Sequence, residues 1–472
     1  MSHRLGDSST HAQVADGGAM TISEVEEAPK TVETSANARR VLVISTIGFT
    51  VAFAVWVMFA IVGVPLREEF GLTDGEFALL VAIPILIGSV LRVPFGIWTD
   101  RFGGRAMFTL LLAMTAVPTY LVSRANSYSE LLVYAFFLGM AGITFAVGIA
   151  WVSAWYPRPR QGFALGTFGA GNVGASITKL LAPWLVTVVA VEGALGGLVP
   201  GGWRFVPFVY ALMLVAMAAV MWVMSPTPDH RPGAGRSWPA LLRPLKVLRV
   251  WRFGLYYVVV FGAYVALALW LPKYYVDVYG FDLQTAGLLT ALFIIPASLL
   301  RPLGGHLSDR FGARRVMYWV FGVMGVALLV LSAPSGHITL YLPPNVEPDG
   351  IREVMRFEMG PVLFTVLMVI VGVAMGIGKA AVYKHIPEYF PNDVGAVGGL
   401  VGAVGGLGGF FLPLMFAWAA ARSGLPQSTF WVLLVFTMVS LGWMHLVVHS
   451  MMHKAAPQMG HLFERPSEEM AP

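Results

Sequence analysis

The stretch Leu91-Arg92-Val93-Pro94-Phe95-Gly96-Ile97-Trp98-Thr99-Asp100-Arg101-Phe102-Gly103-Gly104-Arg105 decides how the chain is read. It returns 209 residues later as Leu300-Arg301-Pro302-Leu303-Gly304-Gly305-His306-Leu307-Ser308-Asp309-Arg310-Phe311-Gly312-Ala313-Arg314. In both copies an apolar helix carries one arginine and meets an Asp-Arg-Phe-Gly turn eight residues on. At ~1.5 Å of rise per residue, Arg92 and Arg301 fall ~12 Å inside their helix ends, near the middle of a ~30 Å hydrocarbon layer. Two arginines at matching depth imply two repeats built to hold an anion.

Composition agrees with that setting. The chain is 57% hydrophobic and 12% charged, against roughly a quarter charged in soluble domains, so it is expected to sit in a lipid bilayer as a polytopic membrane protein. Apolar runs long enough to span lie near 41–63, 77–98, 106–123, 131–154, 161–188 and 203–224, and again near 253–276, 284–306, 316–333, 361–386, 394–420 and 428–449. The expected organisation is a disordered cytoplasmic tail over 1–40, a six-helix bundle over 41–224, a basic cytoplasmic loop over 225–252, a second six-helix bundle over 253–450, and a cytoplasmic tail over 451–472. The loop carries Arg231, Arg236, Arg243, Lys246, Arg249 and Arg252. These share a side with Arg39, Arg40, Arg101, Arg105, Arg158, Arg160, Arg310, Arg314 and Arg315. The opposite loops, around Glu68 and Glu69 and from Glu347 to Glu358, are balanced or acidic, which places both termini inside and the protein in the cytoplasmic membrane. The net charge of +5 follows from this topology and implies no nucleic acid. With no cysteine, disulfides, thiolate metal sites and cysteine catalysis are excluded.

The repeat extends further. Phe145 to Trp155-Tyr156-Pro157 aligns with Lys379 to Tyr389-Phe390-Pro391, and a glycine-dense helix follows each. Two related six-helix halves around a midplane site form the parallel-repeat plan of a major facilitator transporter. The paired turns, with Gly96, Asp100 and Arg101 in one and Gly305, Asp309 and Arg310 in the other, resemble the cytoplasmic loop motif of that superfamily, which implies a gating role. The fold expected is therefore all-α, twelve transmembrane helices in two pseudo-symmetric bundles.

Arg92 and Arg301 are the sharpest signal, because the spans offer no midplane Asp or Glu to neutralise them and snorkelling fails at that depth. A guanidinium presents parallel N–H donors that match the edge of a trigonal oxyanion or carboxylate. The fifth span carries Gly162, Gly166, Gly169, Gly171, Asn172 and Gly174, and the eleventh Gly398, Gly402, Gly405, Gly406 and Gly409. Close helix packing accounts for most of these glycines; their symmetry adds that such backbones can approach a small substrate.

These two glycine helices resemble the signature motifs of the nitrate/nitrite porter family, and with Arg92 and Arg301 the resemblance covers essentially all of 41–449. It implies that the arginines clamp nitrate or nitrite, with Phe145, Asn172, Tyr257 and Phe261 around the anion. Counting from the helix ends places Phe145, Asn172 and Phe261 ~12–18 Å deep, in the arginine layer, but Tyr257 only ~6 Å deep. Lys379 falls in the same layer and Lys179 farther out, while Lys384 and His385 lie near the helix end, where solvent is expected. The Gly-Lys-Ala-Ala segment at Gly378 and the Ser-Ile-Thr-Lys segment at Ser176 resemble the nitrate/proton symporters within the family.

Uptake of an anion into a negative-inside cell opposes roughly 2.3 kcal/mol per 100 mV, so coupling is needed. Lys379, with Lys179, is the candidate proton carrier, since desolvation beside two arginines loosens a lysine's proton. Electroneutral nitrate/nitrite antiport, another small-anion carrier and a non-transporting nitrate sensor remain alternatives. No catalytic nucleophile, phosphate loop or cofactor motif appears, so an enzyme is not expected, nor a cofactor, and a monomer suffices. His445, His449 and His453 share one helix face but lack an acidic companion, which argues against a metal site.

Overall fold

The computed structural model describes residues 35–60, 62–334, 336–341 and 351–455. Among them nine helices are long and apolar enough to cross a membrane, or eleven spans if each of two bent pairs counts as one. The chain is a multi-pass membrane protein, and among the described residues its regular structure is helical apart from one hairpin and an isolated bridge between Ala194 and Val199.

The first helix, Ala36–Trp56, starts inside the stretch expected to be a tail: the Ser35 hydroxyl accepts the Ala38 N–H at 3.1 Å and caps it. Residues 1–34, the remainder of that expected tail, lie outside the described residues. At the other end the helix Ser428–Ala455 runs past the expected boundary at 450, and 456–472 are not described.

The two opening stretches are not continuous helices. Each pair, Gly75–Val90 with Arg92–Phe102 and Gln284–Leu299 with Arg301–Phe311, bends by 40°. Pro94 and Pro302 sit in the first turn of the second piece, where a missing N–H costs nothing, whereas their rings would clash with a carbonyl of a preceding unbroken turn. Each arginine is thereby the first residue of a new helix.

Similar interruptions recur. A 3₁₀ turn, Ala170–Val173, divides Gln161–Gly169 from Gly174–Val188, and another, Gly139–Ile143, precedes Thr144–Trp155. A π turn, Val258–Gly262, interrupts the span Leu248–Tyr279. Asn172, Phe145 and Phe261 lie in or beside these turns, so every resemblance-derived contact residue sits near a break in regular helix.

Helices of the two repeats cross at glycines. A Cβ on Gly96 would overlap the Gly395 carbonyl and one on Gly305 the Gly162 carbonyl, so backbones touch at both crossings. The loop expected over 225–252 is pinned at both repeats. Asp229 accepts the indole N–H groups of Trp151 and Trp155 at 2.9 and 3.2 Å and the Arg105 backbone N–H at 2.9 Å, and Arg236 pairs with Asp393 at 2.7 Å. Gly336–Tyr341 and Ile351–Phe357 form an antiparallel hairpin where only a loop was expected; Glu347 and Asp349 fall outside the described residues.

Candidate functional site

Arg92 and Arg301 are 1% and 0% exposed, and among the described residues neither forms an ion pair with a carboxylate. Their guanidinium carbons lie 5.3 and 5.4 Å from the centre of one ring, Phe145. The two are held differently. Arg92 donates from Nε to the Gly142 carbonyl at 3.0 Å and from Nη1 to the Gly402 carbonyl at 2.7 Å, and lies over Trp56 at 5.3 Å. Among the described residues none of the three guanidinium nitrogens of Arg301 has a hydrogen-bond acceptor.

The glycine helices seat these arginines crosswise. A Cβ on Gly169 would lie 2.4–2.5 Å from the Arg301 guanidinium, and one on Gly166 would overlap the Arg301 carbonyl. In the other direction, a Cβ on Gly399 would lie 2.5 Å from the Arg92 carbonyl, and those on Gly402 and Gly406 3.2 Å from Arg92 Cδ and Nη1. Each repeat therefore supplies the floor for the other's arginine. Gly171 and Gly174 instead face the first helix at Phe49 and Thr50, Gly398 packs on Ile149, Gly405 on the Tyr257 ring and Gly409 on Val265.

Aromatic rings complete the layer. The Phe145 ring is parallel to Phe261 (6.3 Å between centres, 2°) and to Tyr257 (6.2 Å, 10°), which stack on each other at 4.9 Å. Parallel ring faces suit a planar anion, which can lie flat against them at van der Waals contact where a tetrahedral one cannot. Both polar atoms of the buried Asn172 amide, the Tyr257 hydroxyl and Lys379 Nζ also lack protein partners. Lys379 is fully buried, with Nζ 3.3 Å from the centre of the Tyr264 ring.

Three residues of this layer were not picked out from sequence. Tyr383 donates to the Gly398 carbonyl at 3.0 Å and meets Phe145 and Tyr257 edge-on at 5.1 and 4.9 Å. It lies one helical turn beyond Lys379, and that spacing was its only signal. Trp56 and Tyr264 carried none. Lys384 and His385, expected in solvent, are both 4% exposed. The reason is that the helix end is packed from both repeats: Lys384 pairs with Asp309 of its own repeat at 2.8 Å and donates to the Arg158 carbonyl of the other, and His385 packs against Phe253 at 5.2 Å.

At the end carrying the Asp-Arg-Phe-Gly turns, the repeats are joined through helix N-termini. Asp100 accepts the N–H groups of Gly395 and Ala396 at 3.1 and 3.2 Å, and Asp309 those of Gly162 and Phe163 at 2.9 and 2.7 Å. A carboxylate there meets unpaired N–H groups and the positive end of the helix dipole. Arg101 lies over Trp238 at 4.4 Å and Arg310 over Phe311 at 5.3 Å. Asp309→Asn would leave the buried Lys384 with Glu388 at 3.9 Å as its nearest carboxylate. Because uncompensated buried charge is expensive, the closed end is expected to loosen by roughly 3–5 kcal/mol. The chain has no cysteine, so faster labelling of Leu165→Cys in the Asp309→Asn background reads that loosening, and an unchanged rate contradicts it.

Among the described residues no group of three or more His, Asp or Glu could hold a metal. The Tyr318 hydroxyl lies 3.3 Å from His445, and the side chain of His453 is outside the described residues.

The chain matches the model of the Major Facilitator Superfamily over residues 44–341 and 280–462. It is 60% identical over 425 residues to the probable nitrate/nitrite antiporter NarK1 of Thermus thermophilus, covering 90% of this chain and 95% of that one. It is 31% identical over 377 residues to the nitrite extrusion protein of Bacillus subtilis, covering 80% and 86%. Among solved structures, the human organic anion transporter MFSD10 superposes with a TM-score of 0.65 at 14% identity, over 87% of this chain and 100% of that one, a likeness of fold alone. Family model, relatives and fold converge: the chain belongs to the nitrate/nitrite porter family of the major facilitator superfamily.

Proposed function

We infer that the chain is a secondary transporter of nitrate and nitrite, not an enzyme, and that it works by alternating access. The observation that carries the site is Arg301, a buried guanidinium with no acceptor among the described residues, beside the parallel rings of Phe145, Tyr257 and Phe261. Buried cations without acids are expensive to maintain, and a flat monovalent anion balances them. Phe145, Tyr257 and Phe261 flank it, and Asn172 supplies an amide from the 3₁₀ turn.

The full arrangement we propose is twelve spans in two bundles over 41–224 and 253–450, with residues 161–188 as the span that the turn at Ala170–Val173 interrupts. Both termini and the 225–252 loop lie on the cytoplasmic side of the cytoplasmic membrane, and one chain suffices for transport. The glycine crossings at Gly96 and Gly305, with Asp100 and Asp309, close the cytoplasmic end, and Arg101 and Arg310 flank that closure.

Transport is coupled to a proton carried by Lys379. An anion bound between the arginines makes it easier for the adjacent amine to hold a proton, and by reciprocity a proton there strengthens anion binding. Lys179 lies farther from the Asp-Arg-Phe-Gly turns than the arginine layer, and there a proton arriving from outside first meets an amine. The second reading, electroneutral exchange of nitrate for nitrite, is favoured by the identity to a probable antiporter. Nitrate uptake into proteoliposomes under an imposed pH gradient, with and without internal nitrite, separates them. Lys379→Gln is expected to abolish gradient-driven uptake while exchange survives; proton-coupled uptake unchanged in that variant rules the carrier out.

A further inference from the structure

At the end opposite the Asp-Arg-Phe-Gly turns, the repeats part around a second space. It is lined by Phe53, Trp56, Ala175 and Lys179 from the first repeat and Tyr264 and Ile294 from the second, among others, and Lys179 is its only charged lining residue. The room open to the centres of water-sized molecules is about 70 Å³, several times the roughly 10–15 Å³ that one water needs on that measure. Ala175 and Lys179, four residues apart on one helix, share the face turned to it.

This space is walled off from the arginine layer by two pinned rings. Trp56 donates its indole N–H to the Pro84 carbonyl at 2.8 Å, and the Tyr264 hydroxyl is 3.0 Å from that of Ser298. Each ring lines the space and also carries a cation of the inner layer, Arg92 on Trp56 at 5.3 Å and Lys379 on Tyr264 at 3.3 Å. Neither cation lines the space itself. Lys179 makes no hydrogen bond or ion pair among the described residues, and it is exposed rather than buried, so its ammonium is the charge this otherwise uncharged lining presents to an entering ion.

We propose that this space is an outer station for a small monovalent oxyanion, held by the Lys179 ammonium, and that the Trp56 and Tyr264 rings divide loading into two steps. The proposal rests on the nitrate and nitrite reading of the inner layer. The chemistry of the two stations differs. A lone ammonium is a point charge that raises the local anion concentration without selecting shape, whereas the forked guanidinium and the ring slot select a planar ion. Capture thus precedes discrimination.

The test uses the purified full chain. Lysines are reductively methylated with and without nitrate, with gluconate as the control anion, and the rate at Lys179 is read by peptide mass spectrometry in the wild type and in Arg301→Gln. Nitrate, and not gluconate, is expected to slow modification of Lys179 at least threefold in both. Protection confined to the wild type, or none in either, overturns the station. Calorimetric nitrate binding to the wild type reports the inner layer separately, so its absence would count against the inner reading while protection in Arg301→Gln still decides the outer one. In proteoliposomes, Lys179→Gln is expected to raise the KM for nitrate three- to tenfold, and Lys179→Arg to restore that KM. An unchanged KM in Lys179→Gln also overturns the proposal.

Discussion

Arg301→Lys is expected to weaken nitrate binding by about a hundredfold although the charge is kept. A bidentate guanidinium contact replaced by one ammonium loses at least one charge-assisted hydrogen bond, worth ~1.5–3 kcal/mol, and the parallel geometry with it. The loss should fall mainly on affinity, because none of the Arg301 nitrogens holds an acceptor among the described residues. Arg92→Lys should differ in kind. Arg92 ties the Gly142 and Gly402 carbonyls together, so its replacement is expected to lower thermal stability as well as binding. Calorimetry with nitrate alongside a thermal melt separates the two effects, and wild-type affinity in Arg301→Lys would remove the bidentate site.

Gly169→Ala should be nearly as damaging, from the opposite repeat. The added methyl would lie 2.5 Å from Nε and Nη2 of Arg301, too close to tolerate, and a guanidinium can yield where a backbone cannot. Displacement of about 1 Å at a site that works by positioning costs on the order of a hundredfold. Gly322→Ala serves as the control, since nothing lies within 4 Å of that position. Nitrate uptake in Gly169→Ala at the wild-type rate, with the protein present at normal levels, would show that the seat does not matter.

Depth was the part of the site legible in the sequence. Helical rise is uniform, so counting from the helix ends placed Arg92, Arg301, Phe145, Asn172, Phe261 and Lys379 in one layer, and the structure gathers the arginines, Phe145, Phe261 and Lys379 around shared rings. Tyr257 was undercounted because its helix begins at Leu248 rather than near 253. The 40° bends were not foreseen, though Pro94 and Pro302 were in plain view, because proline in a first turn and proline inside a span look alike until the helix start is known. Contacts between repeats were the least legible. Nothing local to Gly169 announces that it lies under Arg301, and nothing near Lys384 announces Asp309, since those partners are more than seventy residues away. Trp56 and Tyr264 stayed hidden for the same reason, since a ring that walls off a cavity has no spacing that distinguishes it from one in a core.

The crosswise seating of the arginines bears on how cargo leaves. A guanidinium that rests on its neighbour's backbone keeps its pose only while the two halves stay pressed together at that depth. When they swing apart, both the pose and the grip decay, so discharge needs no separate trigger. Avidity here is a property of closure, and a porter assembled this way loosens its hold in the same motion that uncovers the exit.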